Sequence, residues 1–203
     1  MQFDTYLVGV GGQGILTIGE ILAEAVRLEG VPVNFFPSKG MAQRGGFVKA
    51  QLRMGRQPAG PNIPERGADL LIAMEVSEAL KAVRYARPGG DFILLGDRWM
   101  PVSVILGKER YPQLETVQEQ IGRAQARLHY IDQELLPSFE GRPIPPNIFI
   151  LGFAMRSTPV GQLVRRETVA EVIGQRWRKS AGLNRFAFQA GYDAGVPAAE
   201  AAR

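Results

Sequence analysis

The chain opens on an apolar, β-rich run, Phe3 to Val10, that stops at glycines. Ile15, Ile18, Ile21, Leu22, Ala25 and Val26 then recur at helical spacing, so the pattern predicts strand, glycine turn, helix. Gly30 closes the helix and Val31 to Phe36 forms a second short strand ending at Pro37, which predicts one βαβ unit. Ser38 to Gly46 is too polar and glycine-rich for a core. In Phe47 to Met54, Val48, Ala50 and Leu52 alternate with Lys49, Gln51 and Arg53, the pattern of a third strand with one wet face.

Residues 55–67, rich in proline and glycine, read as a loop. Asp69 to Met74 is a buried strand, Glu75 to Arg87 a helix terminated by Pro88, Gly89 and Gly90, and Asp91 to Leu95 another apolar strand. Strands buried on both sides predict a Rossmann-like, doubly wound, mainly parallel α/β sheet with helices on both faces. Leu114 to Leu128 reads as an amphipathic helix before a short strand around Tyr130 and Ile131, and Pro137 to Pro146 breaks the pattern. Asn147 to Met155, Glu167 to Arg178 and Asn184 to Ala194 read as helices, and Pro197 to Arg203 as a frayed tail. The expected organisation is a single subunit domain over 1–203, with a doubly wound core at 1–135 and C-terminal helices at 147–195 packing on it.

Composition narrows the function. With 203 residues and 45% apolar content the chain can bury a real core. No run approaches the roughly 18 apolar residues that span a bilayer, and the N-terminus lacks a secretory pattern, so a cytoplasmic protein without membrane contact is expected. The absence of cysteine excludes disulfides, thiolate-held zinc and cysteine-ligated iron–sulfur clusters within this chain. His129, the only histidine, lies in a strand-like stretch and reads as structural, so no metal site is expected. The net charge of +4 is spread among nearly as many acids, which argues against nucleic acid. The densest basic group, Arg165, Arg166, Arg176, Arg178 and Lys179, reads as a solvated helix face.

Candidate chemistry gathers in two glycine-rich segments. Gly9, Gly11 and Gly14 form G-x-G-x-x-G directly after a strand and at the start of a helix, where glycines permit a tight turn and the helix N-terminus attracts anions. Gly12 and Gln13 add permissiveness and one amide side chain. A nicotinamide reader also needs an acid at the end of the second strand, and Asn34, Phe35, Phe36 and Pro37 supply none, although Lys39 could meet a ribose phosphate. A freestanding NAD(P) dehydrogenase or nucleotide-binding protein stays open as the alternative, as does a glycine turn kept only for packing. The second segment, Ser38 to Gly46, belongs at the same carboxyl edge of a parallel sheet and should neighbour the first. Arg44 offers a planar fork for carboxylate or phosphate, beside Gly45 and Gly46. Glu75, Asp97, Arg98 and Trp99 fall at that edge too, and read first as capping or turn residues. No paired carboxylates, G-x-S-x-G or Walker lysine marks a catalytic residue.

GVGGQGI at Gly9 to Ile15 and GMAQRGG at Gly40 to Gly46 resemble, in order and spacing, the small subunit of 2-oxoacid:ferredoxin oxidoreductases, called gamma, or beta in the indolepyruvate enzymes. The resemblance continues through YPQLETV at Tyr111 to Val117, NIFILG at Asn147 to Gly152 and NRFAFQAGYDAG at Asn184 to Gly195, nearly the whole chain. GMAQRGG is closer to the indolepyruvate type than to the pyruvate or 2-oxoglutarate types. The resemblance implies oxidative decarboxylation of a 2-oxoacid, such as indolepyruvate or another aryl pyruvate, to an acyl-CoA, with electrons passing to ferredoxin. It further implies that thiamine diphosphate, Mg and iron–sulfur clusters sit on a large partner subunit. This chain would carry no redox centre and be inactive alone, with its glycine loops facing the large subunit and helping to shape either a coenzyme A site shared with it or a vestigial nucleotide site. The candidate cofactor-binding set is Gly9, Gly11, Gly12, Gln13, Gly14, Ser38, Gln43, Arg44, Gly45 and Gly46.

Overall fold

The central strands are buried on both faces, and the alternating direction of their side chains sorts the core into two layers, one on each face of a six-stranded sheet. The computed structural model describes residues 1–39, 46–55, 60–100, 102–108 and 110–196. The sheet is built from β1 (Phe3–Val10), β2 (Val33–Lys39), β3 (Phe47–Met54), β4 (Ala68–Ala73), β5 (Ala86–Leu95) and β6 (Arg127–Ile131), in the order β2-β3-β1-β4-β5-β6. Leu7, Leu70, Ile72 and Ile93 face one way, under α1 (Ile15–Leu28) and the C-terminal helices α5 (Pro146–Ser157), α6 (Arg166–Arg176) and α7 (Ala181–Ala194). Tyr6, Val8, Leu71, Phe92 and Leu94 face the other way, under α2 (Val76–Ala82) and α4 (Leu114–Arg123). The remaining elements are a short α3 (Val102–Ile105), a hairpin of β7 (Ser138–Phe139) and β8 (Arg142–Pro143), and 3-10 turns at Val83–Tyr85, Gln133–Leu135 and Pro159–Gln162. The mainly parallel, helix-covered α/β sheet agrees with the sequence pattern. Among the described residues no helix is long and apolar enough to cross a membrane.

The structure corrects the expected βαβ unit. β1 and β2 run in the same direction but are not neighbours, because β3 inserts between them, antiparallel to both, with Val10 opposite Phe47 and Lys39 opposite Val48. The apolar positions of β3, Ala50, Leu52 and Met54, are fully buried on the α1 side. β2 carries Pro37, which has no amide to donate and suits an edge strand. The other face of β3 is only partly wet. Gln51 is buried and accepts a hydrogen bond from the Ile63 amide at 2.6 Å, and Arg53 forks onto Asp4 at 3.1 and 3.2 Å. That leaves the upper end, with exposed Phe47 and half-buried Lys49, open.

Other boundaries shift for local reasons. The helix after Glu75 ends at Ala82 and a 3-10 turn follows, since Ala86 already pairs with Ala68, and the Pro88–Gly89 stretch forms an irregularity inside β5. α4 stops at Arg123, not Leu128, after which Gln125 adopts a left-handed φ of 60° and Arg127 enters β6 opposite Asp91. The proline-rich stretch 137–146 holds the β7–β8 hairpin and the first residue of α5. The expected tail, 197–203, lies outside the described residues. Two of the basic residues expected on a solvated face pair with acids on or just after α1: Arg176 with Glu20 at 2.5 Å and Arg165 with Glu29, the C-cap, at 2.9 Å. These exposed pairs orient α6 more than they stabilise it.

α5 and α7 cross at glycines. A Cβ on Gly152 would strike the Phe188 carbonyl, and one on Gly191 the Phe149 carbonyl, so backbone meets backbone. Neither carbonyl can yield without moving its helix. Gly191→Ala is expected to lower stability by about 1–3 kcal/mol, read as a fall in the urea midpoint with little change in its slope.

At the other edge, Asp91 is almost fully buried and receives Arg127 at 2.9 and 3.0 Å and the His129 ring at 2.9 Å. Burial pushes its carboxyl up, but the hydrogen bonds from His129 and Arg127 outweigh that and hold it below the ordinary carboxylate value. A depressed folded-state value means that this stabilisation is present above the unfolded value, near about pH 4, and is lost as pH falls through the folded one. Asp91→Asn is therefore expected to be less stable at neutral pH and to lose less stability on acidification, measured by urea unfolding across the acid range.

Candidate functional site

β1 ends at Val10 and the chain must turn at once to start α1, so the turn is built from backbone and one amide side chain. Gly12 and Gly14 have φ of 109° and 77°, left-handed values that favour glycine. A Cβ on Gly14 would also strike the Asn147 side chain, whose Nδ2 donates to the Gly14 carbonyl at 3.4 Å. Among the described residues nothing lies within 4 Å of a Cβ built on Gly12, which is exposed at the turn's tip. The Gly11 amide donates to the Gly46 carbonyl at 2.9 Å, so the last residue of the second glycine-rich segment meets the turn, while 40–45 lie outside the described residues.

Gln13 is the centre of the turn. Its Oε1 accepts from the Val10 amide at 2.8 Å, while its Nε2 donates to the Met74 carbonyl at 2.9 Å and to Asp97 Oδ2 at 2.7 Å. Both amide hydrogens are thus used within the protein. The sequence offered Gln13 as a ligand-facing amide, whereas the structure turns it inward. Asp97 is drawn to the turn by this contact and by its own carbonyl, which accepts from the Val76 amide at 3.2 Å.

Beside it Glu75, fully buried at the end of β4, caps α2. It accepts from Ser77 Oγ at 2.6 Å, the Glu78 amide at 2.9 Å, the Trp99 amide at 3.2 Å and the Tyr111 hydroxyl. Burial and the adjacent Glu75 carboxylate push the Tyr111 phenol well above its usual value, so it stays a neutral donor. Glu75 thereby fastens both ends of the excursion that carries exposed Trp99, Met100, Ile105 and Leu106.

The turn borders a cavity of about 390 Å³ lined by Gly12, Gln13, Gly14, Asp97, Asn147 and neighbouring apolar positions. Two helices begin at it. α1 starts after Gly14 and α5 after Pro145; neither start has a side-chain cap, and neither first turn contains an acid. The α1 start offers its first-turn amides, whereas the α5 start, with no N–H on Pro145 or Pro146 and the Ile148 and Phe149 amides bonded to the Pro145 carbonyl, offers that of Asn147. The two helix dipoles border one space, which favours an anion.

Of the ten candidate residues, the turn gathers Gly9, Gly11, Gly12, Gln13, Gly14 and Gly46. Ser38 stands apart, exposed on the edge strand opposite Lys49. Gln43, Arg44 and Gly45 lie outside the described residues. Sequence reasoning did not single out Asn147, although Pro146 ahead of it is a recognisable first helical residue and marks that helix start. The dinucleotide alternative loses its geometry. The strand beside β1 on this side is β3, which begins here with Phe47 instead of ending with an acid.

A family model described as pyruvate ferredoxin/flavodoxin oxidoreductase matches residues 4–194. The chain belongs to this family. The indolepyruvate oxidoreductase subunit IorB of Archaeoglobus fulgidus is 32% identical over 198 residues, covering 97% of this chain and 96% of the relative. Among solved structures, the pyruvate oxidoreductase subunit PORC of Thermotoga maritima aligns with a TM-score of 0.68 at 22% identity, covering 95% of this chain and 96% of that one. The 2-oxoglutarate:ferredoxin oxidoreductase of Magnetococcus marinus, solved with 2-oxoglutarate, coenzyme A and succinyl-CoA bound, aligns with a TM-score of 0.70 at 18% identity, covering 95% of this chain but 30% of that longer one. The family member described here is thus a small subunit of a 2-oxoacid:ferredoxin oxidoreductase.

Gln13→Ala removes three hydrogen bonds that hold β1, β4 and the end of β5 together. It is expected to cost about 2–3 kcal/mol and to speed amide exchange at Val10. Unchanged protection there would show that the turn closes without it.

Proposed function

We propose that the chain serves an indolepyruvate-type, thiamine-dependent enzyme that oxidatively decarboxylates a 2-oxoacid to an acyl-CoA and reduces ferredoxin, in the cytoplasm. Its own part is to receive coenzyme A at the glycine turn. The observation that carries this reading is the convergence of two uncapped helix starts beside the open Gly12. Phosphate oxygens match the unpaired amides there, Gly9, Gly11 and Gly14 keep the backbone close, and Gln13 fixes the turn's shape. From the second segment, Arg44 would fork onto a phosphate, with Gln43, Gly45 and Gly46 beside it and Ser38 at the base of the loop.

In this reading a large partner subunit holds thiamine diphosphate, Mg and the iron–sulfur clusters, as the family resemblance implies, and the lack of cysteine in this chain agrees with clusters held elsewhere. Bound thiamine diphosphate supplies the carbanion chemistry that decarboxylates the 2-oxoacid. This subunit contributes no catalytic side chain and acts by holding the acyl acceptor in place.

The test is reconstitution with the large subunit. The small chain alone should not turn over, and the complex should reduce ferredoxin in the presence of both an aryl pyruvate and coenzyme A. Arg44→Ala should raise KM for coenzyme A about tenfold, a loss of roughly 1.4 kcal/mol, while assembly and kcat at saturation stay as before. An unaltered coenzyme A dependence would remove coenzyme A from this turn. A preference for pyruvate or 2-oxoglutarate over aryl pyruvates would overturn the substrate assignment alone.

A further inference from the structure

On the opposite face of the sheet, α2 and α4 cover β1, β4 and β5 but stop short of β3. A cavity of about 580 Å³ opens at this step, larger than the one at the glycine turn. Its wall carries Lys49 from β3, Lys81 from α2 and Arg84 from the 3-10 turn, with Phe47 and the Tyr6–Tyr85 pair.

The three cations differ in what already occupies them. Lys81 pairs with Glu78 at 2.9 Å on its own helix, and Arg84 loosely with Glu65 at 3.7 Å in an exposed contact. Both also stand near the C-terminal end of α2, where cations are ordinary. Neither explanation reaches Lys49. It is half-buried on a strand, and no carboxylate among the described residues pairs with it. Its stem packs at the cavity wall while, among the described residues, no acidic group takes up its charge, which leaves the ammonium available to an anion.

Behind the cations the aromatic groups form a fixed wall. Tyr6 and Tyr85 stack with centroids 4.4 Å apart at 14°, and the Arg84 guanidinium lies 5.0 Å over Tyr85, donating to its hydroxyl at 3.1 Å. Stacked on Tyr85, Arg84 has its reach set before any ligand arrives. Phe47 stands 39% exposed at the mouth, a free ring surface beside the cations.

We propose that this cavity is a second anion site, separate from the glycine turn, which takes a small phosphorylated molecule with a planar ring: its phosphates on Lys49, Lys81 and Arg84, its ring against Phe47. The volume suits a nucleotide-sized ligand. The site also adjoins the turn through one peptide, because Phe47 follows Gly46, whose carbonyl holds the Gly11 amide.

The test is a site-resolved titration of the full chain by amide NMR, with pyrophosphate, ADP and adenosine as probes. Pyrophosphate and ADP should give saturable shifts at Phe47, Lys49 and Lys81 to Tyr85, with ADP tighter and adenosine weakest. Lys49→Gln and Arg84→Gln, each retaining the folded spectrum, should weaken pyrophosphate about tenfold. Phe47→Ala should bring ADP down to the affinity of pyrophosphate. Shifts confined to Gly9–Gly14, non-saturating shifts at surface cations generally, or unchanged affinity in both charge variants would overturn the site. ADP binding no tighter than pyrophosphate in the unmodified chain would overturn the ring contact.

Discussion

One primary amide holds the carboxyl edge of the sheet together. Gln13 reaches from the turn after β1 to the end of β4 and to Asp97 just past β5, and simultaneously receives the last amide of β1. A shorter residue could not span these strands, and a carboxylate in its place would meet the Met74 carbonyl and the Asp97 carboxylate with acceptors alone. The amide therefore sets where α1 begins and how close Asp97 stands to it. Asn147 makes the corresponding tie from α5 to Gly14. The cavity is the space these ties leave, so its shape depends on side chains that a ligand need not touch.

Much of this architecture is legible from local pattern. Phe3 to Val10 and the helix after it follow from an apolar run and a helical period, with the intervening turn marked by its glycines. Strand order is less accessible. β3 shows its buried Ala50, Leu52 and Met54 in the sequence, but nothing local says that it pairs with β1, because pairing is decided by which apolar face α1 can cover. The same limit explains Gln51 and Gln13. Both are polar in the sequence, and both turn inward because a backbone group elsewhere in the chain needs a partner.

The two faces of the sheet are finished differently. On the α1 side, the C-terminal helices close the surface, with backbone contact at Gly152 and Gly191 and acid–base pairs from α6 to α1. On the α2 side, the helices leave β3 half bare, and the residues there are cationic and aromatic. The two cavities share no lining residue, and the link between them is backbone alone: Phe47 follows Gly46, whose carbonyl holds the Gly11 amide of the turn.

The insertion of β3 also bears on how the chain finds its fold. β2 and β3 are antiparallel neighbours in sequence as well as in space, so they can zip up after closing only a short loop. β1 can join β4 only after the intervening segment has been brought across, a closure that costs more chain entropy and raises contact order. A preformed β2–β3 ribbon offers β1 an edge with the correct register before any parallel pair exists, giving a mainly parallel sheet an antiparallel starting template.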